Sequence, residues 1–344
     1  MFELLIFFII IFLSFNFLNI ICLNKNVLVD IQKNSDHKKL TNKLKVPITG
    51  GILIVFSIIF ILDEITLLNK FIFLLIFFLG LLSDINKLTS PRIRFLIQLI
   101  IVIIYIFLNE TYISQIRINV FDNYLFQIIL FKIIFTSFCL LILINGSNFI
   151  DGVNTLNSGY YLILFCNILF FVSNHSIILE SQNIKILSVV LLVFLIFNIF
   201  SKSFLGDSGS YVLSFFSGVF LIELFNENSF ISPYYIAILL WYPAFENFFT
   251  LTRRLIFEKS KIKVADNLHL HHLIFLFFKK KNINVKILNT LTGLTINLFN
   301  ILIFISANKF IYETKKLILI LLISIILYLA SYFLLKRNLK EIKK

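Results

Sequence analysis

Five groups of polar residues interrupt the apolar runs of this chain, and each has the composition to do chemistry. Asp84 stands in Gly80-Leu81-Leu82-Ser83-Asp84-Ile85-Asn86-Lys87, shortly before Ser90-Pro91-Arg92-Ile93-Arg94. A carboxylate there can bind Mg²⁺ or accept a proton, with Lys87 and the arginines offsetting phosphate charge; a helix cap beside a solvated loop reads the same way. Asn145, Asn148 and Asp151 recur at every third residue in Asn145-Gly146-Ser147-Asn148-Phe149-Ile150-Asp151-Gly152. On a continuing helix they form one polar face for a nucleotide or sugar, or for a bond between helices. In Gly206-Asp207-Ser208-Gly209-Ser210, small residues surround one carboxylate. That crowding suits Asp207 reaching Mg²⁺ with backbone donors close to phosphate, or a turn capped by serine.

The last two groups are basic. Glu246, Arg253, Arg254, Lys259, Lys261 and Lys263 precede Asp266-Asn267-Leu268-His269-Leu270-His271-His272. Histidines and arginines can grip a diphosphate and stabilise charge on a leaving phosphate. Zinc is the weaker alternative, because no cysteine is near and no HExxH is present. Asp36-His37-Lys38-Lys39 comes before Pro47-Ile48-Thr49-Gly50-Gly51. Lys38 and the turn around Thr49 can hold phosphate through an ammonium and a closely approaching backbone, or can simply mark the basic mouth of a span.

The elements that must carry these groups follow from composition. The 344 residues are 59% hydrophobic and only 14% charged, with a mean hydropathy of +0.96. Such a chain lacks the polar surface to cover a core in water. An all-α, polytopic membrane protein is expected, formed as a single membrane-embedded domain over residues 1–344, with membrane lipid as its surroundings. Candidate spans lie at 1–23, 48–62, 71–82, 93–109, 125–144, 156–173, 183–200, 209–225, 231–250, 284–306 and 317–335. Eleven spans are expected, with ten as the alternative; several are short, so their helices must extend or be broken where protein lines them.

Charge orients the spans. With the N-terminus outside, the inner loops and tail hold 24 of the 31 Lys and Arg residues, and the C-terminus is cytoplasmic. All five polar groups then share one face, toward the cytoplasm. The net charge of +13 therefore points to anionic lipid and phosphate-bearing substrates; no aromatic-basic module supports nucleic acid. Cys22, Cys139 and Cys166 lie in apolar runs without metal spacing and are expected to be small buried hydrophobes.

Taken in order, these motifs resemble the polyprenyl-phosphate N-acetylhexosamine-1-phosphate transferase family, glycosyltransferase family 4, most strongly over residues 30–280. Lys38 and Pro47-Ile48-Thr49-Gly50-Gly51, Ser83-Asp84 with Ser90-Pro91, Asn145 to Gly152, Gly206 to Ser210, and His269 to His272 each match a family motif. The resemblance implies transfer of a sugar 1-phosphate from a UDP-sugar to undecaprenyl or another polyprenyl phosphate, releasing UMP at a bacterial inner membrane. It implies Mg²⁺, or Mn²⁺ in its place, on Asp207 with Asn148. It further implies catalytic roles for Asp84, Asp151, Asp207, His269, His271 and His272, and substrate contacts for Lys38, Thr49, Lys87, Asn145, Asn148, Arg253 and Arg254.

One departure stands out: the family has two adjacent aspartates where this chain has Ser83-Asp84. His269-Leu270-His271-His272 is more similar to the undecaprenyl-phosphate GlcNAc-1-phosphate branch than to the phospho-MurNAc-pentapeptide branch, with its usual three consecutive histidines. UDP-GlcNAc is thus the expected donor, feeding a lipopolysaccharide or cell-wall glycan. Phospho-MurNAc-pentapeptide transfer is the alternative; a transporter or an inactive structural relative is the alternative of another class. A homodimer is left open.

Overall fold

Apolar runs bounded by polar residues become helices because a bilayer leaves no water to satisfy free backbone groups. The computed structural model describes residues 2–31, 45–62, 65–175, 182–258, 268–281 and 283–340. Eight helices there are long and apolar enough to cross a membrane: α1 (Phe2–Lys25), α3 (Leu67–Asp84), α4 (Pro91–Asn109), α6 (Ile129–Ile150), α8 (Gln182–Ile199), α9 (Gly206–Glu227), α13 (Val285–Asn308) and α14 (Thr314–Lys340). Two further apolar helices, α2 (Gly50–Phe60) and α7 (Leu156–His175), complete the regular set. The short helices α5 (Asn119–Gln127), α10 (Pro233–Leu239), α11 (Trp241–Arg253) and α12 (Leu270–Lys280) lie between them. The architecture is the all-α polytopic membrane fold that composition required.

Each of the eleven expected stretches is largely helical; the one at 125–144 contains the break between α5 and α6 at Ile128, and the one at 231–250 is divided into α10 and α11 at Leu240. Pro243 explains the second break: its nitrogen has no hydrogen to give the carbonyl four residues earlier. That carbonyl belongs to Leu239 and instead accepts from the Tyr160 hydroxyl at 2.8 Å. A buried tyrosine thus repairs the ladder that proline opens. Arg254–Glu258 then continues α11 as a π-helical turn.

Helix α9 is the hub. Of its central residues 89% are buried, against 17% for α1 and 22% for α14, and it packs on α2, α3 and α6. Its small residues Ser208, Gly209, Ser210, Ser214, Ser217 and Gly218 are all buried or closely approached, which lets neighbouring backbones come near. Two of the hydroxyls are satisfied within the helix, Ser214 donating to the Ser210 carbonyl at 2.6 Å and Ser217 to that of Leu213 at 2.7 Å, while those of Ser208 and Ser210 pair with Asp84 and Asn157. The hub is polar in sequence yet costs little to bury.

One small feature departs from an all-helical reading. Strands β1 (Val29–Ile31) and β2 (Lys45–Pro47) pair antiparallel, with Asp30 opposite Val46. Ile48 then bridges in parallel to Phe204, which fixes the start of α2 against the segment leading into α9. Cys22 is buried as expected, Cys139 is intermediate and Cys166 is exposed on α7, so only the first behaves as a core residue.

Candidate active site

A cavity of about 710 Å³ lies where the ends of α3, α6 and α8 meet the beginnings of α4, α9, α12 and α13. Asp84, Asn148, Asp151, Asp207, Arg254, His269, His271 and His272 all line it. Residues from motifs more than 180 positions apart in sequence thus converge on one space.

The acidic side is organised by the N-terminus of α9. Asp84 ends α3 and accepts from the backbone N–H of Asp207 at 2.8 Å, from that of Ser208 at 3.1 Å and from the Ser208 hydroxyl at 2.7 Å. One carboxylate therefore satisfies donors that the helix cannot satisfy itself. Gly206 makes this approach feasible: its φ is +76°, and a Cβ there would stand 2.7 Å from an Asp84 oxygen. Only glycine combines that dihedral with that proximity at low cost.

Asp207 points back toward α3 and α4. Its Oδ2 accepts from the Ser83 hydroxyl at 2.5 Å and from Arg94 Nη1 at 2.6 Å, and Arg94 also donates to Ser83 and to the Tyr211 hydroxyl. Ser83 stands where the resemblance leads one to expect a second aspartate beside Asp84. A carboxylate so close to Asp207 would add like-charge repulsion, whereas the hydroxyl donates and Arg94 compensates the remaining charge.

Asp151 caps α6 at the turn into α7. Burial first, and then the charges of Asp207 and Asp84, push its carboxyl well above the ordinary carboxylate range, against opposing hydrogen bonds from Asn157 and the Gly206 backbone. The turn itself is pinned from α8 and α13: Asn198 Oδ1 accepts from Thr155 N and Asn289 Oδ1 from Asn154 N, both at 2.7 Å.

Opposite the acids stands a stack of rings. His269 and His271 are nearly parallel with centroids 5.5 Å apart, and His271 and His272 are 4.2 Å apart. Phe149 packs 5.4 Å from His269. His271 is fully buried, and neither of its ring nitrogens has a hydrogen-bond partner among the described residues. Burial and its two histidine neighbours hold its pKa well below the ordinary imidazole value, so the ring is neutral. An unsatisfied buried imidazole beside a cavity is suited to a polar ligand.

Among the described residues no cluster of three or more His, Cys, Asp or Glu side chains is spaced as an all-protein metal cage. The oxygens that could serve a cation with help from a ligand are those of Asp207, Asn148 and Asp84 along the cavity. Mg²⁺ is commonly held by one or two carboxylates, with substrate phosphates and water supplying the rest. The donor set fits that mode.

Four expected substrate contacts are not among the lining residues. Thr49 is buried, bonded to Asn19 and to Ser203 at 2.9 Å. Asn145 lies one helical turn below Asn148 and donates to Gln98 at 3.0 Å and to the Leu141 carbonyl at 2.9 Å. Arg253 is buried on α11 while its neighbour Arg254 reaches the cavity, and Lys87 is exposed in the turn after α3. Lys38 lies outside the described residues. In the other direction, Ser83, Arg94, Asp30, Asn198 and Asn289 line the cavity. Arg94 carries a sequence signal in its proximity to Asp84 and Ser83 in its place beside it; Asp30, Asn198 and Asn289 carry none.

Residues 65–225 match the family model described as Glycosyl transferase family 4. The matched span contains Ser83, Asp84, Arg94, Asn148, Asp151 and Asp207 and ends before the histidines. No curated protein matches the chain.

Proposed function

We propose, from the likeness of residues 65–225 to glycosyl transferase family 4, that this chain transfers N-acetylhexosamine 1-phosphate from a UDP-sugar to undecaprenyl or another polyprenyl phosphate. The likeness supports a polyprenyl-phosphate sugar-1-phosphate transferase in general. GlcNAc is the proposed sugar, on the histidine spacing at 269–272, and the product starts a lipid-linked cell-envelope glycan. The charge distribution supports a bacterial inner membrane with the cavity facing the cytoplasm. One observation carries the reading furthest: a single cavity sets cation-binding oxygens against histidines and arginines suited to phosphate.

An oxygen of the lipid phosphate attacks the β-phosphorus of the UDP-sugar. The new P–O bond forms as the bond from that phosphorus to the bridging oxygen breaks, and UMP leaves with the oxygen and its electron pair. The acceptor phosphate is already ionised near neutral pH, so orientation and electrostatics do most of the work. Asp207 and Asn148 would hold Mg²⁺, or Mn²⁺ in its place, which neutralises the donor diphosphate and stabilises departing UMP. Arg94 fixes the direction of the Asp207 carboxylate. Asp84 fixes the start of α9, and with it both Asp207 and the Ser208 amide. His269, His271, His272 and Arg254 face the phosphates from the opposite wall, and the hydrocarbon tail stays among the helices.

Purified protein given undecaprenyl phosphate, Mg²⁺ and a panel of UDP-N-acetylhexosamines is expected to release UMP, fastest from UDP-GlcNAc. No UMP from any donor, beside an active control transferase, would overturn the proposal. A second prediction concerns Gly152, where an added Cβ would collide with His271 Nε2. Gly152→Ala is expected to shift that ring and lower kcat by about 10²-fold, the scale of an ångström-sized misplacement. An unchanged kcat would show that His271 need not hold its position.

A further inference from the structure

Glu246 lies on α11, outside the matched span, and is completely buried. Both of its oxygens are engaged: Oε1 with Nδ1 of His269 at 2.9 Å, and Oε2 with the Tyr328 hydroxyl of α14 at 2.6 Å. Thr250 Oγ1, one turn along α11, is 3.3 Å from the same ring nitrogen. His269 in turn lines the cavity and stacks on His271.

Resting on the transferase reading above, we propose that Glu246 is the positioning residue of the histidine cluster, holding His269 with Nδ1–H toward α11 and Nε2 toward the phosphates, and that Tyr328 holds Glu246.

The choice of residue type supports a role beyond joining helices. At two other helix contacts this chain uses carboxamides, Asn167 with Asn308 at 2.8 Å and Asn145 with Gln98 at 3.0 Å. A neutral amide is the less costly group to bury. Here the chain instead buries a carboxylate against a histidine that lines the cavity. A carboxylate oxygen facing Nδ1 accepts its hydrogen, so the pairing selects the Nδ1–H tautomer and leaves Nε2 to face the cavity. The cluster is thereby divided: His271 is deep and, among the described residues, without a side-chain partner on its ring nitrogens, and His269 is backed by Glu246. The last helix becomes part of the site through one hydroxyl.

Glu246→Gln reverses the pattern at nearly constant volume. The Gln oxygen accepts from Tyr328, which turns its NH₂ toward Nδ1 and favours the Nε2–H tautomer. Two readouts test this. The first is ¹⁵N-imidazole NMR of histidine-labelled protein in detergent, with His269 assigned by loss of its signal in His269→Gln. Nδ1–H is expected in the parent and Nε2–H in Glu246→Gln; the same tautomer in both overturns the inference. The second is UMP release. Glu246→Gln is expected to lower kcat by about 10–100-fold, as loss of a partner orienting a functional histidine does elsewhere, and to add no further loss to His269→Gln. A kcat equal to the parent's, or losses that multiply in the double variant, overturns it. Should Glu246→Gln fail to fold, Tyr328→Phe keeps the Glu246–His269 bond while freeing one oxygen; a smaller fall in kcat supports the inference, and an unchanged one overturns it. If the parent protein releases no UMP, the transferase reading fails, and the tautomer measurement alone decides the role of Glu246.

Discussion

Asp207→Asn is expected to lower the rate of UMP release by roughly 10³-fold or more. A Lewis-acidic cation at a transferring phosphoryl group is worth several kcal/mol, and each factor of ten in rate corresponds to about 1.36 kcal/mol. The amide keeps the shape of the carboxylate but loses the charge that answers both Arg94 and the cation. In the resting protein Asp207 Oδ2 is bonded to Arg94 and Ser83, so removal of its charge also leaves the Arg94 guanidinium without its ion-pair partner. The protein should still fold, because α9 is held by its packing on α2, α3 and α6 and by the Asp84 cap. The check is twofold: initial rates of UMP release, and thermal midpoints with Mg²⁺ and UDP-sugar. The parent should gain stability from the pair by mass action and Asp207→Asn should not. Retention of a tenth of the parent rate would remove Asp207 from the central role.

Asp84→Asn is expected to fail differently, through structure as well as rate. Three donors converge on the Asp84 carboxylate, two from backbone N–H groups and one from Ser208. An asparagine side chain offers one acceptor and one donor, so at least one N–H at the buried start of α9 meets another donor. The expected cost is about 1–3 kcal/mol of stability, the scale for an unsatisfied buried polar group. Because the same turn carries Asp207, a fall of about 10²-fold in rate should accompany it. Thermal unfolding in detergent and UMP release measured together check both parts. Loss of rate without loss of stability would make Asp84 a direct participant; neither loss would contradict its place in the account.

What could be read from sequence divides along a physical line. Apolar runs report helices because a bilayer imposes the same requirement on every residue in them, and the polar motifs around Asp84, Asp151, Asp207 and His269 report the cavity because they stand at one set of helix ends. Depth is harder to read. Asn145 shares its spacing with Asn148 and Asp151, yet one turn of helix moves it from the cavity to Gln98. Thr49 sits beside a glycine pair fit for phosphate, but its hydroxyl faces Asn19 and Ser203 within the bundle. The break at Leu240 was written in Pro243, while the carbonyl it frees finds Tyr160, 79 residues earlier. Strands of three residues leave no period to detect. The Glu246–His269–Tyr328 chain joins three elements whose neighbourhood only the fold creates. Ser83 is the sharpest case: by sequence a lost acid, by structure a donor to Asp207 within a contact that also includes Arg94.

The central claim is that the sugar moves together with its phosphate. A UDP-sugar carrying ³²P at the β-position alone tests this directly. Incubation with purified protein, Mg²⁺ and undecaprenyl phosphate should place the label in an extractable lipid diphosphate and leave the released nucleotide, UMP, unlabelled. Label recovered in free UDP, or lipid that gains sugar without label, would contradict sugar-1-phosphate transfer.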